Sequence, residues 1–256
     1  MLELATRLPF VDYLFPEQGA LQDFEFTDFI FSKRSNDTVR HKKITVINFG
    51  SLDRRGIARL LDTLNRYNPS VVGVDAFFNC PPGVTDTARC PRLRDPEASQ
   101  LLSLAIQRTK KIVLASALLN RQGIFEGDSL EVSDSIFSVY SKQGYSSFPV
   151  TSNSVAILRS FLPTLNVMGT DELAFSLQVA WQYDSVHAKK FLARNKEEEL
   201  INFSGNAFFP LQDQPEQGGA FTLLNVKSYL TLTLASLALS GIAISLYENF
   251  ESWRSK

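Results

Sequence analysis

Apolar positions along this chain fall into two kinds of run. The short continuous runs are Ile44-Thr45-Val46-Ile47, Val71-Val72-Gly73-Val74 and Ile112-Val113-Leu114-Ala115. Such runs, bounded by turn residues, suit strands of a parallel sheet buried on both faces. Between them the spacing becomes helical. Ile57, Leu60, Leu61 and Leu64 fall on one face, predicting a helix over 54–67 with Asp53 at its cap and Asn68-Pro69 as its stop. Asp95-Pro96 opens a second helix to about Arg108 through Leu101, Leu102, Leu104 and Ala105. Three strands alternating with two helices predict an α/β fold, a mainly parallel central sheet flanked by helices. Residues 71–78 should lie mid-sheet. Asp75 is then near a carboxyl end, where open α/β sheets hold their ligands.

The remaining segments carry weaker patterns. Residues 1–20 read as an irregular entry, and Phe24, Phe26, Phe29 and Phe31 belong to a segment predicted as helical. The polar run 32–43 reads as a solvated loop. An additional strand pair is expected from 145–149 and 154–161. Asp171 is placed to cap a helix running through Leu173, Leu177 and Trp181, followed by a helix over 186–195 and a short strand at 200–203. The chain from Tyr229 to Tyr247 is 19 residues without a charge. As a helix that length just crosses the ~30 Å hydrocarbon core of a bilayer. Tyr at each end and Trp253 beyond fit interfacial aromatics. The expected organisation is therefore a domain over 21–228, a C-terminal transmembrane-like helix over 229–247, and a short cytoplasmic tail over 248–256. A buried core helix, or a strand in which Leu230, Leu232 and Leu234 alternate with Thr231 and Thr233, remains open for the same stretch.

Composition changes the picture by exclusion. The 256 residues are 44% hydrophobic and 21% charged, as in an ordinary globular protein, and the net charge of -1 provides no basic field for nucleic acid. Only two histidines occur, His41 and His187, and neither has metal-ligand spacing with the two cysteines. No serine elbow, Walker A or GxGxxG motif is present. No metal, cofactor or catalytic residue is therefore assigned, and the chain does not read as an enzyme.

Taken in order, several motifs resemble the CHASE2 domain, an extracytoplasmic sensory module of bacterial membrane-anchored signalling proteins. They are Leu21-Gln22-Asp23-Phe24, Ile44-Thr45-Val46-Ile47, Gly50-Ser51-Leu52-Asp53, and above all Val71-Val72-Gly73-Val74-Asp75-Ala76-Phe77-Phe78. Ser154-Val155-Ala156-Ile157-Leu158-Arg159 is similar to the family's arginine-bearing strand, and Ile201-Asn202-Phe203-Ser204-Gly205 to its later turn. The resemblance spans residues 21–230. It implies a periplasmic domain that answers an unknown small-molecule or envelope ligand. The change would pass to a membrane helix, and on to a partner signalling protein or a second copy. Two features depart from the family pattern. Asn48-Phe49-Gly50 stands where an acidic residue is usual. No separate core strand follows the segment around 221–230, so the sheet is expected to be one strand short or the chain shortened.

The candidate ligand-binding residues are Asp75, Asp53 and Arg159. Asp75 could contact a ligand or hold its own turn. Arg159 could clamp an anion or form a structural ion pair. Cys80 and Cys90 could close a disulfide if the domain lies in an oxidising compartment, worth about 3 kcal/mol by the loop-entropy account. Two other function classes remain in view, a soluble α/β enzyme such as a hydrolase using Asp75 and a structural envelope protein without a ligand.

Overall fold

The computed structural model describes residues 43–80, 90–119, 129–147, 159–201, 222–225 and 243–247. Its first strand, β1 (Ile44–Asn48), leads through Asp53 into α1 (Arg54–Asn65). The Asp53 carboxylate accepts the Gly56 N–H at 2.7 Å, which satisfies one of the donors that a helix start leaves unpaired. Strand β2 (Val71–Asp75) follows, then the short α2 (Pro91–Arg94) and α3 (Pro96–Arg108). Asp95 caps α3 through the Ala98 N–H, with Pro96 in the first turn. Next come β3 (Ile112–Leu119), β4 (Ser129–Glu131), α4 (Ser135–Ser138) and β5 (Lys142–Tyr145). The strands β6 (Ser160–Phe161), β7 (Thr164–Val167) and β8 (Thr170–Leu173) precede α5 (Phe175–Tyr183) and α6 (Ser185–Leu192). β9 (Glu199–Leu200), β10 (Thr222–Asn225) and β11 (Ala243–Tyr247) complete the described elements.

The main sheet runs β10-β1-β11-β2-β3, with β5 parallel and β4 antiparallel to β3. Every pairing from β10 to β3 is parallel. α1 and α3 cover one face, where Leu60, Leu61, Leu64, Leu102 and Ile106 meet Val72, Val74, Ile112 and Leu114. Successive strand residues point to opposite faces, so Gly73 looks the other way. A Cβ there would come within 3.0 Å of Phe175 and Val179, which places α5 against that second face. Gly144 is tighter still, because a Cβ would lie 2.7 Å from the Phe175 Cα. The two glycines let α5 lie directly on β2 and β5. A smaller apolar cluster joins Tyr145, Ala174, Leu177 and Ala188 to Leu165, Trp181 and Phe191, tying α5 and α6 to the β7–β8 hairpin.

The largest correction concerns the C-terminal stretch. Residues 243–247, expected inside a transmembrane helix, form β11 between β1 and β2, with Ser245 opposite both Val46 and Gly73. No helix among the described residues is long and apolar enough to cross a membrane. The physical reason is that a central parallel strand is shielded from water on both faces and excludes charge as a bilayer does. An uncharged run therefore does not distinguish the two. β11 is also the core strand that the sequence pattern had left missing.

Two smaller expectations change as well. Of the strand pair expected from 145–149 and 154–161, residues 148–158 lie outside the described residues; Tyr145 belongs to β5 of the main sheet, and Ser160 and Phe161 pair with β9. Asp171 is not a helix cap but a residue of β8, accepting from the Asn166 side chain, and α5 begins four residues later. The Val167-Met168-Gly169-Thr170 hairpin takes the place of the first turn expected for that helix, with positive φ at Met168 and Gly169. The entry 1–20, the segments 21–31, 32–42, 123–128 and 202–219, residues 229–242 of the expected membrane helix and the tail 248–256 lie outside the described residues.

Candidate functional site

The carboxyl ends of the parallel strands converge on one opening. Asp75 closes β2, and Tyr145, Ser146 and Ser147 continue from β5. The first turn of α5 supplies Ala174, Phe175 and Ser176, and β6 supplies Phe161 with Leu162 beside it. Together these residues line a cleft of about 120 Å³. A cavity near 150 Å³ holds a molecule of benzene's size, so this one suits a ligand of at most that size.

Local structure explains how each wall is held. Ser146 N–H donates to the Ser116 carbonyl at 2.9 Å, and the Ser147 hydroxyl oxygen accepts the Leu118 N–H at 3.0 Å. Both serines are thus anchored to β3; the Ser146 hydroxyl also donates to the Ser116 carbonyl at 3.4 Å, whereas the Ser147 hydroxyl, an acceptor here, keeps its proton to donate. The Tyr145 hydroxyl donates to the Leu162 carbonyl, and burial raises its pKa to about 12. Tyr145 is therefore neutral over the physiological range and closes the cleft floor against β6. Ala174 bridges Tyr145 in a parallel pairing and donates its N–H to the Pro163 carbonyl.

Ala174 stands at the cap position of α5 without any side-chain acceptor, unlike Asp53, Asp95 and Asp184 at theirs. Ala174, Phe175 and Ser176, which form this helix start, all line the cleft. A helix N-terminus attracts negative or acceptor groups, while Asp75 attracts donors. The cleft offers both chemistries across a short distance, within walls that are largely apolar.

The sequence candidates separate in space. Asp75 lines the cleft and has interactions within the protein. Arg159 is not among its lining residues; its carbonyl accepts the Ile201 N–H at 2.8 Å, beside the β6–β9 pair. Asp53 is occupied by its helix cap. Cys80 and Cys90 form a disulfide, with Cα atoms 4.8 Å apart. It lies at the rim beyond β2, on the side where Phe78 donates to the Ser133 hydroxyl and accepts from the Asp134 N–H. Sequence reasoning did not find Tyr145, Ser146, Ser147 or Ser176. Scattered serines carry no pattern; the pairing of β5 beside β3 brings Tyr145, Ser146 and Ser147 to the cleft, and the placement of α5 brings Ser176. No group of three or more His, Cys, Asp or Glu among the described residues could hold a metal ion.

No curated protein and no solved structure matches the chain significantly. The model of one domain family does match, over residues 25–247, and that span contains the whole described sheet and the cleft at its carboxyl edge. This chain belongs to the CHASE2 domain family, a family of sensory modules rather than catalysts.

Proposed function

We propose that this domain senses a small polar molecule in the Asp75 cleft, outside the cytoplasm and in association with a membrane. The single observation behind the ligand site is the cleft itself. It lies at the carboxyl ends of β2 and β5, with a carboxylate on one side and the uncapped first turn of α5 on the other. A fitting ligand presents an amine or hydroxyl to Asp75 and an acceptor to α5. The Cys80–Cys90 disulfide supports an oxidising compartment.

The signal would travel through α5. This helix rests on β2 at Gly73 and on β5 at Gly144, and it carries α6 and the hairpin with it. A ligand seated against its first turn favours one helix position over another, and the shift passes to a partner signalling protein or a second copy. The test is a thermal-shift screen of the intact chain against small amino acids, hydroxy acids and polyols. At least one compound should raise the wild-type melting temperature and fail to do so with Asp75→Asn and with the cavity-filling Ser176→Phe. Compounds that stabilise all three chains equally would remove the cleft from consideration.

A further inference from the structure

A second set of charged groups lies at the rim, on the face of the sheet covered by α1 and α3. Arg54 opens α1, and its half-buried guanidinium sits 5.2 Å above the Phe137 ring. Of its five N–H donors, one reaches the Ser99 hydroxyl at 2.8 Å, and no carboxylate among the described residues pairs with it. Arg92 and Arg94, in α2 just after Cys90, add two more guanidiniums. Arg92 Nη1 lies 3.7 Å from Asp134, which stands at the cap position of the helix carrying Phe137, and Arg55 beside Arg54 pairs with Asp95 beside Arg94, so the three cations share one neighbourhood. Burial lowers the Arg54 pKa, and the two nearby guanidiniums push it the same way.

Acidic groups nearby do not balance this charge. Asp134 lies 3.7 Å from the Arg92 Nη1. Asp53 is bound to the Gly56 N–H. Asp95, the neighbour of Arg94, accepts from Ala98 N–H and pairs with Arg55. Arg94 has no ion-pair partner among the described residues.

We propose that Arg54, Arg92 and Arg94 form an oxyanion site for a phosphoryl group, assembled by the Cys80–Cys90 disulfide. A phosphoryl group has three acceptor oxygens, which matches forked donors arriving from two elements. The disulfide fixes Cys90 against the segment leaving β2, and α2 starts at the next residue. It thereby holds Arg92 and Arg94 beside Arg54. The Cys80 sulfur lies 3.9 Å from the same Asp134 carboxylate that faces Arg92, so cystine and cations share one contact set. The site is independent of the Asp75 cleft, which faces α5 instead.

The experiment uses the intact, disulfide-bonded chain. One arm titrates it with inorganic phosphate and pyrophosphate by calorimetry. The other measures cosedimentation with phosphatidylglycerol vesicles against phosphatidylcholine vesicles. Saturable binding of free phosphate identifies a soluble ligand; binding to the phosphatidylglycerol vesicles alone identifies a lipid headgroup. In either case Arg92→Gln and Arg94→Gln, both on the surface, should weaken binding roughly tenfold or more. Arg108→Gln, whose partner Asp62 lies away from the helix starts that carry the site, should not. Reduction of the disulfide should weaken binding in the same direction as the arginine variants. No binding in either arm would overturn the proposal. So would unchanged binding in folded Arg92→Gln and Arg94→Gln chains, or full affinity in a reduced chain that circular dichroism shows to be folded.

Discussion

At the scale of single residues, the caps do the most visible work. Asp53 and Asp95 each give a carboxylate oxygen to the N–H three residues on, at 2.7 and 2.9 Å. Asp53→Ala should cost about 1 kcal/mol, read as a lower urea midpoint at constant slope. Asp95 adds a pH dependence. Its Ala98 hydrogen bond, and then Arg55, hold its pKa below the ordinary carboxylate value. The stabilisation from this residue is present above the unfolded value near ~3.9 and is lost as pH falls through the lower folded value. Melting temperature should therefore decline in acid more steeply for wild type than for Asp95→Asn, whose amide oxygen still accepts at the cap but does not titrate. Equal acid slopes in the two chains would contradict this account. Both caps were legible in the sequence because the interaction is local. Asp75 was legible as well, since a polar residue ending an apolar run marks a strand end. Its neighbours Tyr145, Ser147 and Ser176 were not legible, since they reach Asp75 through strand pairing and helix placement.

At the scale of elements, the helices α1 and α3 and the strands β1 and β3 follow closely from periodicity, while β2 starts as expected at Val71 but ends at Asp75 rather than Phe78. Where periodicity misled, a longer-range pairing had decided the outcome. The segment before α5 has helical spacing, yet residues 170–173 pair with 164–167 as a hairpin. Asn166 bonds both Asp171 and the Gly169 N–H, which fixes that turn. β11 is the stronger case. Its backbone pairs with β1 on one side and β2 on the other, so each side of Ser245 faces a hydrogen-bonded neighbour. Proline in such a strand removes a ladder donor and is found only at edges or bulges. Ser245→Pro should therefore abolish cooperative urea unfolding of the domain. A membrane helix would tolerate proline much better, so a folded Ser245→Pro chain with wild-type cooperativity would count against the central strand.

At the scale of the whole molecule, compartment and stability are linked through one bond. Cys80 and Cys90 are 10 residues apart in sequence and close the rim beyond β2. Removing the bridge with Cys80→Ser and Cys90→Ser together should lower stability by about 3 kcal/mol, measured by urea unfolding of the purified chain. In native cells the thiols should resist a membrane-permeant maleimide until reductant is added. Immediate labelling of both thiols would place the domain in a reducing compartment and remove the extracytoplasmic reading.

The sequence by itself determined whatever depends on neighbours within a few residues. That includes the caps, the helix faces, the buried strand cores, and the motif order that resembles CHASE2. Tertiary structure decided what those elements meet. An uncharged apolar run satisfies a bilayer and the middle of a parallel sheet equally well, because both environments exclude water from the side chains. Only the vacancy between β1 and β2, two strands brought near each other by α1, selects the sheet for residues 243–247. The cleft likewise exists only because Gly73 and Gly144 let α5 approach the sheet closely, with its uncapped first turn facing the end of β2.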